Sequence, residues 1–384
     1  MDRQTKILYI TELVEMGGGE RNLLSIIKNL DREKFQPIVL CPCKGSLTIE
    51  LERRNIPVII SRHGIAKKLL GFIPIISILS IIRLWKILIR EKIDIVHAHF
   101  LSSVIFSSIP TKLMKIPLVW TVHGWASGRG IQGLLINFFV NRVLTVSHAV
   151  ERFINQSGNI SAEKIQTIFL GVDLKEFNNL CKTNAIKREF GVDQDVPLVG
   201  MIGRFQQVKG HFYFLKAAKE IKKTLPNSKF IIVGARIFTR KADKGYPTQI
   251  EKWIREYGLE NDVICTGFRN DIAHILANLD VMILPSLRES FGLVLVEAMA
   301  VGVPVVSTRS GGPDDIIEHN VSGLLVPVGD PKALGEAVLI LLENRIRAKE
   351  MASFAKKRVE EFFNIDTQTK KIESVYNELI RSKR

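Results

Sequence analysis

The chain has 384 residues, more than the ~250 to 300 at which one hydrophobic core usually stops growing, so two domains are expected. With 46% hydrophobic and 24% charged residues and no low-complexity tract, it is neither disordered nor fibrous. The net charge of +15 sits mostly in the first half, where residues 1–185 hold 24 Lys/Arg against 14 Asp/Glu; without zinc-finger spacing or an RNP-like aromatic motif, no nucleic-acid partner is expected.

The first half alternates short β-branched runs with helical patterns. KILYI is followed by GGGERNLLSIIKNL, PIVL, a helix near Leu47 to Arg54, and VII at residues 58–60. IDIVHA, a helix after Phe100, PLVWTV and VLTVS continue the pattern. Strands apolar on both faces, alternating with helices, predict a parallel sheet covered by helices. The alternation restarts after residue 185 with VPLVGMIG, a helix from Gly210, KFIIVG, a helix from Pro247 to Tyr257, VICTG, VMILP, a helix from Leu293, VPVVS and GLLVP. Two doubly wound domains are predicted, 1–185 and 186–365, with a C-terminal helix over 366–384 that packs back on the first.

Leu69 to Ile82, LLGFIPIISILSII, carries no charge, but it is shorter than the ~20 residues needed to span a bilayer and contains Pro74. From Arg62 to Lys92 there are seven Lys/Arg and one acid. That combination suits either peripheral contact of 62–92 with an anionic membrane or a buried crossover helix with exposed cations. The chain opens MDRQTKILYITEL, without the pattern of a secretory signal, and its four cysteines (Cys41, Cys43, Cys181, Cys265) lack repeated metal-ligand spacing. A cytoplasmic protein with reduced thiols, possible contact with the inner face of the cell membrane, and no zinc is expected.

Ligands of open parallel sheets bind beyond the carboxyl ends of the strands, and the chemistry-bearing residues fall there. Gly17, Gly18 and Gly19 precede the first helix, where free N–H groups suit phosphate; a plain turn is the alternative. Gly203 and Arg204 end a strand, and Lys209 follows five residues on, so that a planar fork and a point charge can together neutralise a diphosphate. In LPSLRESFGLVLVEAMA, Glu289 lies in a loop and Phe291, Gly292 and Leu293 open an apolar helix bearing Glu297. Glu289 can bind sugar hydroxyls or cap that helix; Glu297 needs a partner, whether ribose hydroxyls, an Arg or backbone amides.

The segment Glu289 to Glu297 resembles the E-x7-E motif of the retaining GT-B glycosyltransferases of family 4, the glycosyl transferases group 1. The likeness extends through GGGERN, TVHG, LTVSHAVERF, LGVDLKEF, GRFQQVKG and VPVVSTRSGGPDDII with SGLLVPVGD, in the family's order. It implies an α/β fold of GT-B architecture, two Rossmann-like doubly wound parallel-sheet domains facing across a cleft, with acceptor on the N-terminal and nucleotide-sugar donor on the C-terminal side. It also implies that Arg204 and Lys209 hold the donor diphosphate, Glu297 the ribose, and Glu289 the transferred sugar, with Phe291, Gly292 and Leu293 nearby. Gly18 and Gly19 would approach the donor, and His123 the reacting carbon.

The implied reaction is metal-independent, retaining transfer of a hexose or N-acetylhexosamine from a nucleotide diphosphate sugar to a saccharide or lipid-linked acceptor, in surface polysaccharide or glycolipid synthesis. No cofactor or metal is expected, since Asp193, Gln194, Asp195 is the sole well-formed D-x-D and lies at the predicted domain boundary. Thr266 to Arg269 does not choose between uridine and guanosine, and a UDP-sugar is the favoured donor. Pro313, Asp314 and Asp315 stand where the family often has Glu. A nucleotide-sugar 2-epimerase, a phosphorylase-like enzyme and a noncatalytic nucleotide-sugar-binding protein are the alternatives on the same fold.

Overall fold

The computed structural model describes residues 3–61, 65–69, 73–76, 78–125, 130–156, 158–177, 180, 182–234 and 245–382. They form two compact units, Met1–Gly171 with Ile365–Arg384, and Val172–Asn364.

In the first unit the strands are β1 (Thr5–Ile10), β2 (Phe35–Cys41), β3 (Val58–Ile60), β4 (Ile65–Leu69), β5 (Ile73–Ile76), β6 (Ile95–Ala98), β7 (Leu118–Val122), β8 (Arg142–Thr145) and β9 (Ile165–Thr167). Seven form one parallel sheet in the order β3-β2-β1-β6-β7-β8-β9. Because parallel crossovers are right-handed, the helices Gly18–Asn29 and Ser46–Glu52 fall on one face of the sheet. The helices Ile78–Glu91, Leu101–Leu113 and Gly130–Phe139, which lead the chain the other way, fall on the opposite face. On the first face Leu23 and Ile27 pack with Ile7, Tyr9 and Val39.

The helix Ile365–Arg381 belongs to this layer. Ile372, Val375, Tyr376 and Leu379 join the same core, and buried Asn22 and Gln368 exchange side-chain bonds of 2.8 and 3.0 Å. The chain thus leaves the first unit at Gly171 and re-enters it at Ile365, whereas composition and alternation place the change near 185.

Part of the uncharged stretch 69–82 lies outside the described residues (70–72 and 77), as does part of 62–92. In the described portion β5 pairs antiparallel with β4, and helix begins only at Ile78. Pro74, paired in register with Lys68, removes a donor and is tolerated in a two-stranded ribbon better than inside a helix. The three-residue edge strand β9 was not anticipated, since Ile-Gln-Thr is too short to show a period.

The second unit carries β10 (Leu198–Ile202), β11 (Lys229–Val233), β12 (Val263–Gly267), β13 (Val281–Leu284), β14 (Val305–Thr308) and β15 (Leu324–Val326) in the parallel order β12-β11-β10-β13-β14-β15. Val199, Met201, Phe214, Phe230, Ile232 and Ile283 are among its fully enclosed core. Each sheet has one topological switch point, between β1 and β6 and between β10 and β13. The loops leaving those strands diverge to opposite faces and open a crevice at their carboxyl ends.

Tyr376 is wholly buried and bonds Tyr9 and His97. Tyr376→Ala should cost about 4 kcal/mol, the scale of a large aromatic truncation in a core. Urea unfolding followed in the first unit would measure it, and a loss below about 1 kcal/mol would contradict this packing.

Candidate active site

At the second switch point the loop after β10 carries Arg204 and Lys209, and the loop after β13 carries Glu289. Lys209 Nζ donates to Glu289 Oε2 at 2.7 Å, and Ser286 Oγ donates to the same oxygen at 3.1 Å. The backbones are joined as well, since Leu287 N donates to Val208 O at 2.8 Å. Gly210 has φ +77, and a Cβ there would lie 2.0 Å from Pro285 O, so only glycine admits this approach.

Glu289 is held at both backbone groups by the glycine block that follows β14. Its N–H donates to Ser310 O at 2.9 Å and its carbonyl accepts from Gly312 N at 2.8 Å. Asp314, one of the departures from the family pattern, accepts from Gly311 N at 3.2 Å and pairs with Arg309. Those contacts hold the block that fixes Glu289, which is a use for an acid there unrelated to any ligand.

Helix Leu293–Val301 begins after Gly292, whose φ of +103 turns the chain sharply. Among the described residues no side chain caps its N-terminus, and the Glu289 carboxylate accepts from Lys209 and Ser286 instead. First-turn N–H groups left without a cap are suited to an anion. Phe291 is buried beneath this turn, its ring 5.9 Å from Phe363 in an edge-on arrangement, and Leu293 is partly buried. Glu297 lies about one turn into the helix and is half-buried. Arg204 is exposed, and its guanidinium makes no bond among the described residues. Arg204, Lys209, Glu289, Phe291, Gly292, Leu293 and Glu297 thus fall on the two loops and one helix of a single switch point.

In the first unit Gly18 and Gly19 open the helix Gly18–Asn29, again without a side-chain cap. A Cβ on either would meet nothing within 4 Å, so crowding by the described chain does not require glycine there. His123 follows β7, and its Nε2 lies 2.8 Å from Nδ1 of His99, which follows β6. The rings stack at 5.1 Å. His97 stacks on His99 at 4.7 Å and is bonded through Nδ1 to Tyr376 Oη at 2.6 Å and through Nε2 to Thr121 Oγ1 at 2.7 Å.

Sequence reading singled out His123 alone and missed His97 and His99. The H-x-H at the end of IDIVHAHF was the available signal, because residues two apart in a strand share a face. Burial holds all three imidazoles uncharged at neutral pH: it lowers His97 to about 3 and His123 to about 4, and pushes His99 well below the ordinary range.

Two parallel sheets, each with cationic or glycine-rich loops at its switch point, define a doubly wound α/β protein of two units. Residues 16–176 match Glycosyltransferase Family 4 and residues 182–358 match Glycosyl transferases group 1, and the chain belongs to this family of retaining GT-B glycosyltransferases. It is 26% identical over 396 residues, 98% of each chain, to the UDP-Gal:alpha-D-GlcNAc-diphosphoundecaprenol alpha-1,3-galactosyltransferase of Escherichia coli. To the N-acetyl-alpha-D-glucosaminyl L-malate synthase of Bacillus anthracis it is 28% identical over 302 residues, 76% of each. Among solved structures, Anabaena Alr3699/HepE in complex with UDP and glucose superposes with a TM-score of 0.84 at 25% identity, covering 98% of this chain and 100% of that one.

Between pH 6.5 and about 4 the unfolded chain binds protons that the buried histidines refuse, so stability is greatest above that window and falls as pH drops through it. Each such histidine should add about 1.4 kcal/mol per pH unit to the slope. Urea midpoints from pH 7 to 4.5 should therefore decline, less steeply in His99→Gln. Equal slopes in the two proteins would contradict the neutral assignment of His99.

Proposed function

We propose that the protein transfers a hexose or N-acetylhexosamine from a UDP-sugar to a saccharide or lipid-linked acceptor. The observation that carries this is the Lys209–Glu289 pair, 2.7 Å long, at the switch point where Arg204 and an uncapped helix start also lie. Lys209, Arg204 and the N–H groups of Leu293 and Val294 take the diphosphate, and their positive charge stabilises it as it leaves. Glu289, its backbone fixed on both sides and its carboxylate already bound to Lys209, orients hydroxyls of the transferred sugar; Glu297 accepts from the ribose. The E. coli galactosyltransferase named for a UDP-Gal donor and the HepE complex with UDP support uridine as the base.

Acceptor oxygen forms its bond to the anomeric carbon on the face from which the diphosphate departs, as retention requires, and the departing diphosphate oxygen takes the acceptor's proton. In the first unit Gly18 and Gly19 admit the donor, and His123 serves as a hydrogen-bond donor to the sugar. Its tautomer follows from His99, whose Nε2 is buried without a partner among the described residues. A bare lone pair there is tolerated better than an orphaned N–H, so His99 carries its proton on Nδ1 and gives that bond to His123 Nε2. His123 is then protonated on Nδ1 and is not the acceptor's base.

In a thermal-shift panel of UDP-, GDP- and ADP-sugars, UDP-sugars should raise the midpoint most. A larger shift with GDP-sugars would overturn the uridine assignment. Lys209→Ala should lower kcat by about a hundredfold, the scale of one lost electrostatic donor, whereas Glu297→Gln should mainly raise donor KM. An undiminished kcat in Lys209→Ala would remove the diphosphate role. Epimer formation from UDP-sugar without acceptor, read by proton NMR, would replace transfer with epimerisation.

A further inference from the structure

The helix Gly130–Phe139 turns its apolar side outward. Ile131, Leu134, Leu135 and Phe138 are exposed to 76, 58, 50 and 60%, at the i, i+3, i+4, i+7 spacing that ordinarily faces a core. Its inner positions Gly133 and Ile136 are the buried ones. Beside it packs the helix Leu101–Leu113, which exposes Ile109, Lys112 and Leu113. Lys112 Nζ sits 4.3 Å from the centroid of the Phe138 ring, so the two helices share one outer surface.

The helix Ile78–Glu91 packs on the other side of Leu101–Leu113 and exposes Leu79, Ile82 and Ile89 interleaved with Arg83, Lys86 and Arg90. Residues 95–150 contain no Asp or Glu, and residues 78–139 hold seven Lys/Arg against two acids, Glu91 and Asp94. Exposed apolar side chains repeated along three neighbouring helices of an outer layer mark a contact site.

We propose that this three-helix face docks on an anionic phospholipid bilayer, with the Gly130–Phe139 stripe in the acyl boundary and the flanking cations at the headgroups. Charge complementarity selects the occupant. A second copy meeting this face through a two-fold axis would set basic surface against the same basic surface. A bilayer bearing anionic headgroups satisfies the cations and takes up the apolar stripe together. The contact is peripheral, since among the described residues no helix is long and apolar enough to cross a membrane. It also shifts the candidate surface from 62–92 to residues 79–138.

The full chain is floated with vesicles of phosphatidylcholine alone or with 30% phosphatidylglycerol, at low and high salt. Recovery should require the anionic lipid and fall with salt. Each cation near such a surface multiplies partition by about five, so R83Q/K86Q should lower it more than tenfold. L134Q/L135Q, at half-exposed positions on the outer side of the helix, should lower it comparably and leave the UDP-sugar shift unchanged; single Ile131→Gln, at the most exposed position, provides a milder version of the same test. Equal recovery from both vesicles, or wild-type binding by L134Q/L135Q, would overturn the proposal. So would a dimer in sedimentation velocity that L134Q/L135Q dissolves, which would make the face a self-association surface. Vesicle binding is read without donor or acceptor, so its failure leaves the transferase reading standing.

Discussion

The contact between Lys209 and Glu289 joins two loops that leave neighbouring strands in opposite directions. Divergence at a switch point is what opens a crevice in a parallel sheet, and it also leaves the loops bordering that crevice without mutual support. Here the support is supplied twice, by the ion pair and by the glycine-mediated approach of Gly210 to Pro285 O. The rest of the second unit serves this junction: the Ser310 to Gly312 block clamps the Glu289 backbone, and Phe291 anchors the helix start against Phe363. A charge pair shielded this way is a preorganised cation, and Lys209 does not have to be drawn into position when an anion arrives.

The first unit uses neutral chemistry at the corresponding place. Three stacked imidazoles, all stripped of charge by burial, continue through Tyr376 and Tyr9 into the core. Such a stack fixes orientation without adding field.

Much of this was legible in the sequence, for identifiable reasons. Fully buried parallel strands such as ILYI, KFIIV and VMIL announce themselves by continuous apolar runs, and helix starts by their glycines. Arg204 and Glu289 stood out because each lies in the loop that follows such a run. What escaped had no local signature. The strand β9 is three residues long, and the β4–β5 ribbon interrupts a stretch whose hydrophobicity suits helix and strand alike. The link between Lys209 and Glu289, eighty residues apart, depends on strand order, which periodicity does not encode. His97 and His99 were overlooked because a histidine inside an apolar strand reads as core until its ring partners are known.

The return of the helix Ile365–Arg381 to the first unit gives the two units different histories during synthesis. Residues 172–364 are continuous and hold everything their own core requires. The first unit waits: its sheet emerges early, yet the side of the sheet that carries Tyr9 stays only partly covered until Tyr376 has been made. Vectorial folding therefore favours completion of the later-encoded unit first, with the earlier one held open and exposed to chaperones through most of translation.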